Sequence, residues 1–296
     1  MARSFARTAE SYRVATGKGF RLARFDSGDT GGLDFSKKRA AETLVAGLEK
    51  LVDFQARLWA QDRWALLLVF QAMDAAGKDS TIKHVMAGVD PHGCQVSSFK
   101  TPSTLELDHD FLWRCVRELP ERGRIGIFNR SHYEEVLIVR VHREILARQK
   151  LPAALVGKKI WRDRYESIND FERHLARNGT RIVKFFLNVS KEEQRKRFME
   201  RLDDPEKNWK FSLRDVLERE HWDDYMRAYE EAIGATSTEW APWYVVPADH
   251  KWFTRLVVAQ IVVSTLQELD LQYPPADAAR KQEIAKARRA LVKEKG

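Results

Sequence analysis

The chain has 296 residues, 44% hydrophobic and 32% charged, with a formal net charge of +8. That length supports a large α/β domain with a sizeable core. No run approaches the roughly 18 apolar residues of a membrane span, and two cysteines, Cys94 and Cys115, provide neither a disulfide framework nor a metal-ligand spacing. The basic excess sits at the ends: 12 Lys and Arg against 8 Asp and Glu over residues 1–63, 7 against 3 over 276–296, and 32 of each between. The neutral middle argues against a nucleic-acid-binding protein, since only local placement of charge can hold a polyanion there. Residues 1–10 lack the apolar segment of a secretory signal, so a reducing cytoplasm is the expected location, with no membrane contact.

In chain order, residues 35–64 carry apolar side chains at helical spacing (Leu44, Leu48, Leu51, Phe54, Leu58) and predict one or two helices. Residues 65–70 are continuously apolar, the pattern of a strand buried on both faces of a parallel sheet. A helix opens at Gly77 and runs to about Gly88. A second strand is expected over 94–99, a helix over 105–119, and a third strand over 124–128. Residues 142–178 read as mainly helical with a break near Leu151-Pro152. A fourth strand follows at 181–189, helices at 191–202 and 212–233, a short fifth strand at 243–246, and a helix from about Trp252 to Leu269. Strands alternating with helices predict a P-loop kinase-like three-layer α/β/α fold: a five-stranded parallel sheet with a helical lid. The expected boundaries are an N-terminal extension over 1–34, a kinase domain over 35–275 with a lid insertion around 190–232, and a basic tail over 276–296. Ligands of such sheets sit at the carboxyl ends of the strands, which gathers the loops after Phe70, Phe99 and Phe128.

The strongest motif follows the first buried strand: Gln71-Ala72-Met73-Asp74-Ala75-Ala76-Gly77-Lys78-Asp79-Ser80-Thr81. Small residues before a lysine at a helix start suit close approach of phosphate. The amides of residues 75 to 80 would cradle its oxygens while Lys78 offsets their charge. Ala72 stands where the usual P-loop has its first glycine, and Asp79 where it has the metal-binding hydroxyl.

This segment resembles the first motif of the polyphosphate kinase 2 family, in which an aspartate precedes Ala-Ala-Gly-Lys. The likeness continues in Ile127-Phe128-Asn129-Arg130-Ser131-His132-Tyr133-Glu134 and in Asn188-Val189-Ser190-Lys191-Glu192-Glu193-Gln194 with Arg197-Phe198. It extends to Asp203-Asp204-Pro205 and Lys207-Asn208-Trp209-Lys210-Phe211, covering about 35–275. Gln-Ala-Met-Asp with Lys-Asp-Ser is most similar to class III of the family, whose members phosphorylate both AMP and ADP. The resemblance implies inorganic polyphosphate as donor, adenine nucleotides as acceptors, and a dimer or tetramer. The alternative on the same fold is a nucleotide kinase driven by a nucleoside triphosphate.

Phosphoryl transfer asks for alignment and for cations on the moving oxygens. Asp74 is the first choice to ligate magnesium, with manganese as a substitute, and the resemblance implies the same role and adds Glu134. Asp79 either reaches the metal or favours the helix N-terminus. Asn129 occupies a position that is aspartate in many members of the family; an amide can hydrogen-bond a phosphate but cannot act as a base. Arg130 either offers its fork to phosphate or pairs with Glu134 or Glu135. Lys100 is a candidate contact to the acceptor nucleotide, or a solvated loop lysine. Arg197 and Arg201, one helical turn apart, either present two cations from a closing lid or pair with glutamates on an exposed helix. Lys207 and Lys210 are weaker candidates of the same kind, and Phe198, Trp209, Phe211 and Trp222 are expected to pack the lid.

Overall fold

The structure, a computed structural model, describes residues 8–33, 35, 37–206 and 208–294. Lys207 lies outside the described residues, as does the side chain of Lys210. Six strands form one sheet: β1 (Arg13–Val14), β2 (Ala65–Ala72), β3 (Cys94–Ser98), β4 (Ile125–Asn129), β5 (Thr180–Asn188) and β6 (Trp243–Pro247). Their spatial order is β1-β6-β5-β2-β4-β3, with β2 between β5 and β4 and every pairing parallel except β1 with β6. The run Leu66 to Phe70 is at most 1% exposed, as a strand covered on both faces requires.

The main helices are α1 (Lys37–Gln61), α2 (Lys78–Val85), α3 (Ile160–Arg177), α4 (Lys191–Asp203), α5 (Trp222–Thr236), α6 (Lys251–Gln267) and α7 (Ala278–Lys293). Helix α6 packs on α1 and α2, while α3 and α5 pack on each other and α3 on β5. The fold is therefore the expected three-layer α/β/α arrangement, with a sixth strand. That strand is two residues long, too short for any periodicity to announce. It enters the sheet by antiparallel pairing of Arg13 with Tyr244 and Val14 with Trp243. Ala9, Tyr12, Val14 and Leu22 are buried, so the described part of the N-terminal stretch belongs to the domain and is not a separate extension.

Three expected helices are shorter than their patterns. Residues 105–119 hold only two turns, Thr104–Leu107 and Trp113–Val116. Ser103 and Glu106 form a capping box that starts the first turn. Asp110 Oδ1 then accepts from the Leu112 N–H (2.9 Å) in a local turn that competes with helix. Residues 142–159 carry only Arg143–Ala147 and the 3-10 turn Ala153–Leu155 before α3 starts. Residues 212–233 likewise divide into Leu213–Leu217, a 3-10 turn Glu218–His221, and α5. Helix α5 buries Ala228, Tyr229, Ala232 and Ile233 and packs the Tyr229 ring against Phe186 of β5 (ring centroids 4.2 Å), so it belongs to the core layers. Only about 191–221 of the expected lid lies outside them.

The basic tail is the capped helix α7, with Asp277 accepting from the Arg280 N–H (2.7 Å) and no residue of the helix buried. Among the described residues no helix is long and apolar enough to cross a membrane.

Candidate active site

Strand β2 ends at Ala72 and the chain turns through Met73 to Gly77 before α2 begins. Two residues of this turn have left-handed backbone, Ala75 at φ 59° and Gly77 at φ 94°. Glycine reaches that region freely, whereas an alanine held there carries about 1 kcal/mol of strain, a cost that clusters at functional sites. The first bond of the helix runs from the Thr81 N–H to the carbonyl of Gly77 (2.9 Å). The amides of Lys78, Asp79 and Ser80 therefore precede the hydrogen-bond ladder and face outward at the positive end of the helix dipole.

The neighbouring strand β4 runs in register with β2, Phe70 opposite Asn129, so its last residue arrives beside the loop. The Lys78 ammonium donates to Asn129 Oδ1. The Asn129 amide nitrogen donates to Asp79 Oδ1 at 2.8 Å, and Lys78 Nζ lies 3.8 Å from the same oxygen. An amide is the side chain that suits both neighbours: an aspartate at 129 would oppose carboxylate to carboxylate. Asp79 is thus engaged with Asn129, its side chain 84% exposed.

Arg130 follows at φ 64°, fixed by its N–H to the carbonyl of Phe70 (3.1 Å). Its guanidinium reaches Asp74 Oδ1 at 3.2 Å and Glu134 Oε2 at 3.7 Å. Glu135 turns away to the buried Arg164 (2.9 Å). Burial works against the charge on Arg130, but Glu134 and Asp74 outweigh it and leave the pKa raised. Burial likewise raises the carboxyl of Glu134, with Arg130 and Lys78 pulling the other way. In the orientation that satisfies both neighbours, the Gln71 amide donates to Glu134 Oε1 at 2.9 Å and accepts from Ser131.

Of these groups Asp74, Arg130 and Glu134 border a cavity of about 230 Å³, which they share with Asp215, Glu218, Tyr225 and Tyr229. Burial raises the carboxyl of Asp215, and nearby Asp74 pushes the same way. Glu218 is pushed up by burial, but hydrogen bonds from His142 and the Tyr225 hydroxyl hold it below the usual range. Asp215, Glu218 and Tyr225 escaped the sequence reading because their segments carry no motif. Only the fold carries them to the loop.

Arg197 differs most from expectation. It is 6% exposed, and all of its donors meet protein oxygens. Nη1 donates to the carbonyls of Ala75 (3.1 Å) and Ala76 (2.8 Å), and Nη2 to those of Ala248 (2.6 Å) and Asp249 (3.0 Å). Nε donates to Glu193 (2.8 Å). Arg197 therefore clamps the phosphate loop to the end of β6 and leaves no N–H for a phosphate. Gln194 assists by donating to the Asp74 carbonyl (2.9 Å). Arg201, one turn on, approaches Asp215 at 4.0 Å and lies over Phe198, and is not brought to the loop amides. Of the aromatics expected to pack the lid, Phe198 is buried within it, Trp222 is buried at the start of α5 in the core layers, and Trp209 is 77% exposed. Lys100 is exposed and borders a separate cavity of about 500 Å³ alongside β3, and its carbonyl accepts from Arg114 (2.8 Å). Thr101 is the residue that borders both cavities.

Lys78 makes the site sensitive to alkali. Desolvation by burial lowers its pKa, with Arg130 acting the same way and Asp79, Glu134 and Asp74 opposing. The protonated form is the useful one, so kcat/KM for an anionic donor is expected to fall as pH rises, beginning below the ordinary lysine range. A bound phosphate restores the charge, so kcat should decline at higher pH than kcat/KM. Lys78→Arg should shift the fall in kcat/KM upward. Initial rates across an alkaline pH series check this.

The polyphosphate kinase 2 (PPK2) family profile matches residues 34–274. An ADP-polyphosphate phosphotransferase of Rhodopseudomonas palustris is 56% identical over 259 residues, covering 87% of this chain and 90% of its own. An AMP/ADP-polyphosphate phosphotransferase of Meiothermus ruber is 47% identical over 270 residues, covering 91% and 97%. The crystal structure of polyphosphate kinase 2 from Arthrobacter aurescens TC1 superposes with a TM-score of 0.85 at 44% identity, covering 97% of this chain and 96% of the other.

Proposed function

The chain belongs to the polyphosphate kinase 2 family, and we infer that it transfers the terminal phosphoryl group of inorganic polyphosphate to AMP and ADP, giving ADP and ATP. The observation that carries this reading is the meeting of the Lys78 loop with Asn129-Arg130 at two adjacent strand ends, beside one cavity. Lys78 and the loop amides hold the donor's terminal phosphates. Arg130 turns its fork from Asp74 and Glu134 to phosphate oxygens that arrive between them. An acceptor phosphate oxygen attacks the terminal phosphorus of the donor in line, and the bond to the shortened polyphosphate breaks. That oxygen is already deprotonated near neutral pH, so the amide of Asn129 serves as well as a carboxylate. No side chain becomes covalently attached.

Magnesium fits the donor set, with manganese as a substitute. Asp74 turns one oxygen to Arg130 and keeps the other, and Glu134 borders the same cavity. A hard cation held by one or two carboxylates completes its shell with phosphates and water. When bound, it would neutralise the equatorial charge of the moving group. We assign the segment around 191–221 the part of a lid whose closure excludes water, the competing acceptor. A cytoplasmic dimer or tetramer is the proposed working form.

Purified protein incubated with polyphosphate, magnesium and ADP, with no nucleoside triphosphate present, should form ATP; with AMP it should form ADP first and then ATP. If product forms only when GTP or another nucleoside triphosphate is the donor, the chain is an ordinary nucleotide kinase instead.

A further inference from the structure

The phosphate loop has two unlike flanks. On the flank of Arg130 lie the carboxylates Asp74, Glu134, Asp215 and Glu218, a poor surface for a long polyanion. On the other flank stands the N-terminus of α6. This helix has no acid in its first turn and no side-chain cap, and it begins with the exposed Lys251, a cation placed at the positive end of a helix dipole where acids are favoured. Arg255 follows one turn later on the same face. Its Nη2 donates to Ser80 Oγ at 2.9 Å, inside the first turn of α2, while its Nε is buried without any partner.

Among the described residues neither Lys251 nor Arg255 forms an ion pair. Burial, Arg197 and Arg255 lower the pKa of Lys251, and Glu200 and Glu193 oppose the fall from beyond pairing distance. Burial lowers that of Arg255. The adjacent Asp249 is engaged elsewhere, accepting from the Ser190 N–H (2.8 Å) and the Ser27 hydroxyl (3.0 Å). Two unpaired cations beside a phosphate loop, at a site where electrostatics disfavours them, call for an anion.

We propose that Lys251 and Arg255 form a donor track, binding the internal phosphates of a condensed phosphate chain whose end is held at Lys78. The track rests on the reading of the enzyme as polyphosphate-dependent and extends it to chain length: a long donor spans both sites, whereas tripolyphosphate is held mainly at the loop. Donor preference then follows from α6, outside the family's motifs noted above.

The test compares wild type with Lys251→Gln, Arg255→Lys and the double variant Lys251→Gln/Arg255→Gln, using long-chain polyphosphate and tripolyphosphate as donors to ADP. The double variant should raise KM for the long chain roughly tenfold, with Lys251→Gln alone giving about threefold. KM for tripolyphosphate should change less than twofold, as should KM for ADP. Arg255→Lys should retain most of the affinity. An equal rise for both donors would mean that these residues shape the loop through Ser80, and would overturn the track; so would an unchanged KM. Binding of fluorescently labelled long-chain polyphosphate, measured without turnover, separates this from the functional reading. A wild type inactive with ADP but binding the chain tenfold more tightly than the double variant would sink the reading and keep the track.

Discussion

Lys78→Ala is expected to lower polyphosphate-dependent turnover by roughly 10²–10³-fold while the protein stays folded. The ammonium sits at the start of α2 with its side chain 14% exposed, so its charge acts in a poorly solvated place where it is stronger than in water. Its partners in the resting site are Asn129, a neutral amide, and the exposed Asp79, so removing the lysine leaves no buried anion unpaired. The loss should therefore fall on catalysis and not on stability. Parallel measurement of kcat with saturating donor and of the thermal midpoint checks both halves. Near-normal turnover would remove the lysine from the mechanism.

Arg197→Ala should do the opposite first: destabilise by about 3–5 kcal/mol, a fall in midpoint on the order of 10 °C. Four backbone carbonyls and Glu193 lose their donor together, and two of those carbonyls belong to the phosphate loop. Arg197→Lys carries three donors on a single nitrogen, cannot span the loop and the end of β6 at once, and should recover only part of the loss. Activity at a temperature where the variant remains folded should still be reduced, because Ala75 and Ala76 are no longer held. A variant with normal stability and a raised KM for donor would restore Arg197 as a phosphate contact. Thermal denaturation followed by kinetics distinguishes the two.

Much of the fold is legible in the chain. Five strands and α1, α2, α4 and α6 announce themselves through local apolar patterns and through the punctuation at Gly77. The two-residue β1 has no local signature and exists because Tyr244 and Trp243 offer a free sheet edge. The helical pattern over 105–119 is overridden by Asp110 and by Arg114, which is buried toward the Lys100 carbonyl. The loop residues Asp74 to Ser80 and the strand end Asn129-Arg130 meet as their positions after parallel strands imply. Their pairing is another matter. Nothing in the order of residues says that Asn129 bridges Lys78 and Asp79, or that Arg130 leans on Asp74.

Arg197 and Arg255 mark the boundary. Both are arginines on helices, and a helical wheel assigns each a face without saying what that face meets. Packing turns Arg197 inward onto carbonyls from two loops and sets Arg255 over Ser80, from a helix 175 positions away. By itself the sequence determined five of the six strands, the phosphate loop and the class of chemistry, because these follow from short-range pattern and from side-chain types. Only the tertiary structure decided which cations are available to a substrate, since a guanidinium is occupied or free according to the oxygens that distant segments bring to it.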